Sequence, residues 1–388
     1  MSDPAEADAL FDIVGDAELP PVAECAAQPF VGVTTDGHVV PDLFSLADEC
    51  LDTSAIVLAA DQFLDTLSSL QRLDAISQID SPEWQLWINA FLTFPEHGLL
   101  LDELDPDQRA AALGVVSASL SKAGFTDIRT AMRLNAQLGD VCRGYADTLR
   151  EYMYWFTIFG VPSTTEPWGW QLMGHHIDVN CFILGTQMVL TPTFLGTEFE
   201  GHELFAEQIS SAVNMMDSLT PSQREKAVLH SSMHPSKLPR HLSGNIDGRH
   251  RAGAGRDNLV LPYEGIRADS LRASQRELLI ALVETFLKPL PIGPRTARHT
   301  QIKQHLDDTY LAWIGPSGAT DAFYYKIHSP VLLVEYDNHS GIFFDNEEPA
   351  QFHVHTIVRT PNGNDYGKDL LRRHYDRFHR AGDMTSSS

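Results

Sequence analysis

An internal echo constrains the folding of this chain more than any other feature. Trp155 to Asn180 maps without a gap onto Tyr310 to Glu335, at a constant offset of 155 residues. In each copy a large apolar residue and a glycine, Phe159-Gly160 and Ile314-Gly315, lead to an aromatic segment ten residues on. Those segments are Trp168-Gly169-Trp170 and Phe323-Tyr324-Tyr325. Upstream, Leu104-x-x-x-Gln108-Arg109 resembles Leu271-x-x-x-Gln275-Arg276, and Leu219-x-x-x-Gln223-Arg224 is a third occurrence. Aromatic and β-branched runs bounded by turn residues favour strands. A helix-then-hairpin unit present twice can join its strands in one sheet about a pseudo-twofold axis. The alternative is chance likeness between strand-turn-strand segments.

The rest of the chain is read by period and punctuation. Residues 1–40 are acidic, rich in Ala and Pro and weakly periodic, which predicts a loosely ordered arm. Helix formers dominate from Leu43 to Arg150, with Asp105 as an N-cap and Pro106 in the first turn. Further helices are expected near Glu203–Asp217, Pro221–His230, Ser274–Leu287 and Lys368–Phe378, with a loose polar tail after them. His234–Asn258 reads as a long loop, a kind of segment that is often functional. The expected fold is α+β: a helical N-terminal part packed on a mainly antiparallel sheet, one domain over 41–380, with repeat units over about 100–195 and 265–360.

Chemistry concentrates in two histidine segments, Gly174-His175-His176-Ile177-Asp178-Val179-Asn180 and Phe352-His353-Val354-His355. Both read as strand, where side chains alternate between faces. His353 and His355 then share a face and can reach one ion, and His176 shares a face with Asp178 and Asn180. Neutral imidazoles suit Zn, Fe, Ni or Cu. The expected metal ligands are His176, His353 and His355. The plainer reading is a set of strand histidines satisfied by their neighbours. Cupin-type sites also use His-x-His on a strand, but the carboxylate expected four to six residues on is absent and Arg359 stands there.

Other candidates surround these. Glu335 and Asp337 end an apolar strand and share a face, as a ligand or base, or as a structural pair with Arg359. His175 and Asp178 are further acid–base candidates. Trp168, Trp170, Tyr324 and Tyr325 would line an aromatic substrate pocket, with Arg256 and Arg359 binding an anionic group. The dinucleotide, P-loop, zincin and serine-hydrolase signatures are absent, so no nucleotide cofactor is expected.

With 28 Lys+Arg against 52 Asp+Glu, the net charge of −24 disfavours nucleic acid as a partner. No apolar run is long enough to span a bilayer, and no secretory signal is evident at the N-terminus. The four cysteines Cys25, Cys50, Cys142 and Cys181 form no Cys-x-x-Cys pair, and fit reduced thiols in a cytoplasmic protein. Cys181, beside the histidines, is a small buried hydrophobe or a reactive thiol.

Several segments in order resemble the domain of unknown function 3500 family. They are Trp168-Gly-Trp-Gln-Leu-Met-Gly-His-His-x-x-x-Asn180, Leu261-Pro-Tyr-Glu-Gly-Ile266, Ser274-Gln-Arg-Glu-Leu-Leu279, Ala312-Trp-Ile-Gly315 with Phe323-Tyr-Tyr-Lys-Ile327, Leu333-Val-Glu-Tyr-Asp-Asn338 and His353-x-His355. The resemblance spans roughly Asp80 to Tyr375 and implies no activity. It also implies a histidine just before Ala-Trp-Ile-Gly, where this chain has Tyr310-Leu311, and a shorter, less acidic stretch than Asn338–Gln351.

Three functions are compatible with these residues. The first is a metal-dependent enzyme acting on a small organic molecule by hydrolysis, elimination or isomerisation, with a divalent Zn, Fe or Cu ion. The second is a metal-free acid–base enzyme using His175 or His176 with Asp178. The third is a non-catalytic protein that binds a small molecule.

Overall fold

The computed structural model describes residues 22–90, 97–244, 248–344, 346 and 348–378. Among these, thirteen strands form one mixed, mainly antiparallel sheet. They are β1 (Ile76–Ser77), β2 (Leu99–Leu100), β3 (Tyr154–Gly160), β4 (Trp168–Gly174), β5 (Ile177–Leu184), β6 (Gln187–Val189), β7 (Thr193–Glu198), β8 (Val228–His230), β9 (Ile266–Arg267), β10 (Tyr310–Ile314), β11 (Tyr324–His328), β12 (Leu333–Asn338) and β13 (His353–Arg359). The fold is α+β. The first 21 residues and the tail after Phe378 lie outside the described residues. The remainder of the expected arm is described, and there Val33 is buried and Thr34 exchanges backbone hydrogen bonds with Leu259 and Leu261 at 3.0 and 2.8 Å. Val22–Ala26 is a short helix.

The sheet order is β1-β3-β4-β5-β7-β13-β12-β11-β10-β8. It reads alike from both edges. β1 lies parallel to β3 and β8 parallel to β10, each following a seven-residue helix. β3-β4-β5 and β10-β11-β12 are antiparallel meanders. They meet where β7 pairs antiparallel with β13, from Thr193↔Val358 to Glu198↔His353.

Four helices begin with a glutamine at the third position, whose side-chain oxygen accepts a backbone N–H at the start of the helix. They are Ser69–Ala75, Pro106–Ser119, Pro221–Ala227 and Ala273–Leu287. The glutamines then pair across helices. Gln71 and Gln108 exchange amide hydrogen bonds of 3.2 and 3.1 Å, and Gln223 and Gln275 exchange bonds of 3.1 and 2.9 Å. Leu67-x-x-x-Gln71-Arg72 is thus a fourth copy of the motif, and the four copies form two matched pairs.

Alternation along the strands separates the two faces. The helices cover an apolar face built from Trp168, Trp170, Val179, Tyr325, Tyr336 and Val354. Trp170 donates to Ser119 of a covering helix at 2.9 Å, and Tyr325 meets Phe286 of another. These side chains are core, not the substrate lining expected of Trp168, Trp170 and Tyr325. A strand side chain pointing at a helix layer cannot also face a site on the opposite face. That opposite face carries Asp178, Asn180, His353, His355, Arg359, Glu335, Asp337, Tyr324, Lys326 and His328, aligned by register across β5 to β11. Long connections roof it, with Trp84, Trp87, Ala252 and Ala254 packed on Phe194, Leu333 and Ile357.

Candidate metal centre

His353 and His355 project from β13 on the roofed face, opposite Glu198 and Gly196 of β7. His176 arrives differently. It does not lie in a strand: β4 ends at Gly174 and β5 starts at Ile177, so His175-His176 is the two-residue turn between them. His176 is left-handed, with φ of 63°, an uncommon conformation outside glycine. The strand alternation expected to align His176 with Asp178 therefore does not apply. The turn is tied down by Gly196 N–H donating to His176 O at 2.8 Å and by His176 N–H donating to Asn89 O at 3.2 Å.

The three rings meet. His353 Nε2 stands 3.0 Å from His355 Nε2, and His176 Nε2 stands 3.2 Å from the same atom. One ligand atom from each ring lies within 4.8 Å of the others. Neighbouring ligands bonded to one ion at about 2.1 Å stand roughly 3.0–3.4 Å apart. Gly196 makes the approach possible. A Cβ there would come 3.0 Å from His176 Cδ2, 3.2 Å from His355 Cδ2 and 2.7 Å from Val354 O.

Burial pushes the pKa of each of the three imidazoles well below its ordinary value, helped by neighbouring histidines, so the rings are neutral. The acceptors then fix the protons. His353 Nδ1 lies 2.9 Å from the Ser340 carbonyl, which only accepts, so Nδ1 carries the hydrogen and Nε2 presents a lone pair. The proton between His353 and His355 therefore belongs to His355. His176 Nε2, facing the same N–H, also presents a lone pair. One N–H serves two inward lone pairs, while His355 Nδ1 has no partner. With the His355 proton moved to its Nδ1, all three inward nitrogens would present lone pairs that a cation could satisfy. Behind His353, Glu198 Oε2 stands 3.7 Å from Nδ1, and three backbone N–H groups of residues 342–344 hold the other oxygen.

Two further histidines reach this place and were missed in the sequence. His339 is 1% exposed and its ring centroid lies 5.0 Å from His353 and 4.9 Å from His355. His250 is 4% exposed, 5.6 Å from His355, and neither of its nitrogens has a partner. Period-two continuation from Glu335 and Asp337 would have placed His339 on this face. Nothing local marks His250, which comes from the roofing loop.

The remaining expected site residues take other places. Glu335 accepts from Tyr324 Oη at 2.6 Å and from the backbone N–H groups of Arg251 and Ala252 at 2.9 and 2.7 Å. Asp337 holds Arg249 through Nε at 2.5 Å, Nη2 at 3.1 Å and backbone N at 3.0 Å. These carboxylates anchor the roofing loop, so the expected ligand or base role gives way to an internal one. Arg359 does not pair with Glu335. It bonds Asp257 and Asp365 at 2.6 and 3.1 Å and two carbonyls, and it is 0% exposed, which leaves it no substrate anion to bind. Arg256 is exposed on the loop. Tyr324 alone of the four expected aromatics faces the roofed side.

Asp178 is fully buried and its partner is Asn180, at 2.7 Å, rather than either histidine of the turn. Burial pushes its pKa well up against the bond from Asn180, and one of its oxygens is unpartnered. His175 turns away toward the helices. Its Nδ1 lies 2.7 Å from Asn135 Oδ1 and its ring stacks on His176 at 3.9 Å, which orients that ring. The thiol of Cys181 is pushed up by complete burial in the helix-side core, the state of an inert hydrophobe.

Fold and site define a two-layer α+β protein with a buried histidine centre on the roofed face of its sheet. Residues 50–368 match the family described as protein of unknown function (DUF3500), and the chain belongs to that family. No curated protein and no solved structure matches it. Tyr310, where the resemblance implied a nearby histidine, lies on β10, three strands from β13. At about 4.8 Å per strand that is roughly 14 Å across the sheet, and by register Tyr310 is level with Arg359, further along β13 than His355 and His353. Tyr310 stacks on Tyr263 at 4.7 Å.

Proposed function

We propose that the protein is a metal-dependent enzyme acting on a small organic molecule, with His176, His353 and His355 holding a divalent Zn, Fe or Cu ion. One observation carries the reading: three buried, neutral imidazoles converge with a single proton among their inward nitrogens. Such a bound ion polarises a carbonyl or activates water, which favours hydrolysis, elimination or isomerisation. The chain's own part is to aim the ligands. The Ser340 carbonyl sets the His353 tautomer, His175 steadies His176, and the loop anchored by Glu335 and Asp337 keeps bulk water off. The donors are neutral, so an ion there retains its full charge.

A small molecule is the partner this reading requires, with neither nucleic acid nor membrane. No described helix is long and apolar enough to cross a membrane. The four cysteines are unpaired, which supports a cytoplasmic location. The metal-free alternative, with His175 or His176 working beside Asp178, loses its support because Asp178 bonds Asn180 instead.

A thermal test separates these readings. A ligand that binds only the folded state raises its stability, by about 2.7 kcal/mol at a hundred times Kd. Metal-stripped protein should melt higher on adding Zn²⁺, and His353→Ala and His355→Ala should lose that response while keeping their circular dichroism. A full response in either variant would remove the metal reading.

A further inference from the structure

We infer that His339 is a fourth nitrogen ligand, so that the centre is built of four imidazoles and no carboxylate. The inference rests on the metal reading above and extends it to a residue outside the three-histidine group. Its first support is a shared acceptor. His339 Nδ1 lies 2.9 Å from the Ser340 carbonyl, the same oxygen that receives His353 Nδ1 at 2.9 Å. One carbonyl thereby fixes two tautomers, and both rings present the Nε2 lone pair. His339 Nε2 has no partner and is buried.

Spacing is the second support. The His339 ring is 4.9 and 5.0 Å from His355 and His353, while the rings of the triad stand 4.8, 5.1 and 5.5 Å apart. His339 is about as close to His353 and His355 as those two rings are to each other. Its backbone is bound to the same strand, with His339 N–H donating to His353 O at 2.9 Å.

The third support is the close packing over the ring. A Cβ on Gly248 would come 2.7 Å from His339 Cδ2 and 2.9 Å from Nε2, and Gly248 itself is left-handed, with φ of 56°. The backbone lies on the imidazole and confines its orientation. Of the carboxylates on this face, Glu335 and Asp337 are occupied by the loop, Asp178 bonds Asn180, and Glu198 stands on the Nδ1 side of His353, away from its inward Nε2. An all-imidazole donor set suits Zn, Cu, Ni or Fe and disfavours the oxygen-seeking Mg and Ca. His250 is the competing candidate, but no hydrogen bond directs its ring.

Cobalt(II) titration of chelator-stripped, full-length protein tests this, read by visible absorption, since the ligand-field bands report coordination number and donor type. Wild type should bind Co²⁺, and His353→Ala should bind none. A partner that merely supports a ligand is worth about 10–100-fold in affinity, so His339→Ala should lose at least that much and change the band shape. Added imidazole should restore the wild-type spectrum to His339→Ala, which a fold-only role would not allow. His339→Asn, judged folded by circular dichroism, guards against a collapsed alanine variant. His250→Gln should keep the wild-type spectrum and affinity. Wild-type binding by His339→Ala, or loss on His250→Gln in its place, would overturn this inference and leave the three-histidine reading intact. Failure of wild type to bind Co²⁺, Zn²⁺ or Cu²⁺ would sink both.

Discussion

A methyl group at position 196 would press on His176, His355 and the Val354 carbonyl at once, at 3.0, 3.2 and 2.7 Å. The carbonyl cannot swing away, so β7 or the rings must move. Overpacking of this kind costs about 1–3 kcal/mol. Gly196→Ala is therefore expected to lose that stability in urea unfolding and to weaken metal binding. Gly114, on a helix with open space where its Cβ would go, is the control: Gly114→Ala should gain about 0.4–1 kcal/mol. Equal effects at the two glycines would contradict the packing argument. His328 on β11 gives a pH prediction. Neither of its nitrogens has a partner, and burial, with Lys326 nearby, pushes its pKa down to about 3. The unfolded chain takes up this proton near pH 6.5. Between those values the unfolded state binds more protons, so the stability associated with neutral His328 is present above pH 6.5 and is lost as pH falls toward 3. The slope from this group is at most about 1.4 kcal/mol per pH unit. Urea unfolding at pH 7, 6 and 5 should show a shallower decline for His328→Gln than for wild type, and parallel declines would rule the residue out as the source.

At the scale of elements, the roofing loop is tied down in part by a buried ion pair at Arg249. Arg249 and Asp337 are 2% and 0% exposed and joined by three hydrogen bonds. Removing one partner strands a buried charge, at a cost of about 3–5 kcal/mol. Asp337→Ala should lose that much, whereas Asp257→Ala should unseat Arg359 without disturbing the Arg249 loop anchor. The glutamine pairs make a second test. A double-mutant cycle on Gln71 and Gln108 should give a coupling of about 0.5–3 kcal/mol, and zero coupling would mean the amides act separately. These elements also show what the sequence made legible. The motif Leu-x-x-x-Gln-Arg was visible three times, yet its meaning required the fourth copy at Leu67 and the pairing of helices far apart in the chain. His353-x-His355 was readable because strand alternation is local. The turn at His175-His176 was not, because a two-residue turn between strands carries the same apolar flanks as a continuous strand. The aromatic residues misled for a related reason: Trp168 and Tyr325 have the composition of a pocket, and only the helices packed on them decide which face they occupy.

Across the whole molecule, the histidine centre is assembled from distant parts of the chain. His176 comes from the first meander, His353 and His355 from the last strand, and β7–β13 pairing holds them together. Register makes this sensitive, since a one-residue slip would send the histidines to the helix side. Ser340, whose carbonyl sets the tautomers, and Gly196, which leaves room for the rings, are ordinary in sequence and acquire meaning only through contact. Charge on the surface plays no direct part, because the site groups are buried. The most direct test is metal content. Untagged protein, purified without added chelator, should carry about one equivalent of Zn, Fe or Cu per chain by elemental analysis. His176→Ala, His353→Ala and His355→Ala should each carry almost none while retaining the wild-type fold. Metal-free wild type that takes up no ion on dialysis against Zn²⁺, Fe²⁺ or Cu²⁺, or triad variants as metal-rich as wild type, would contradict the account.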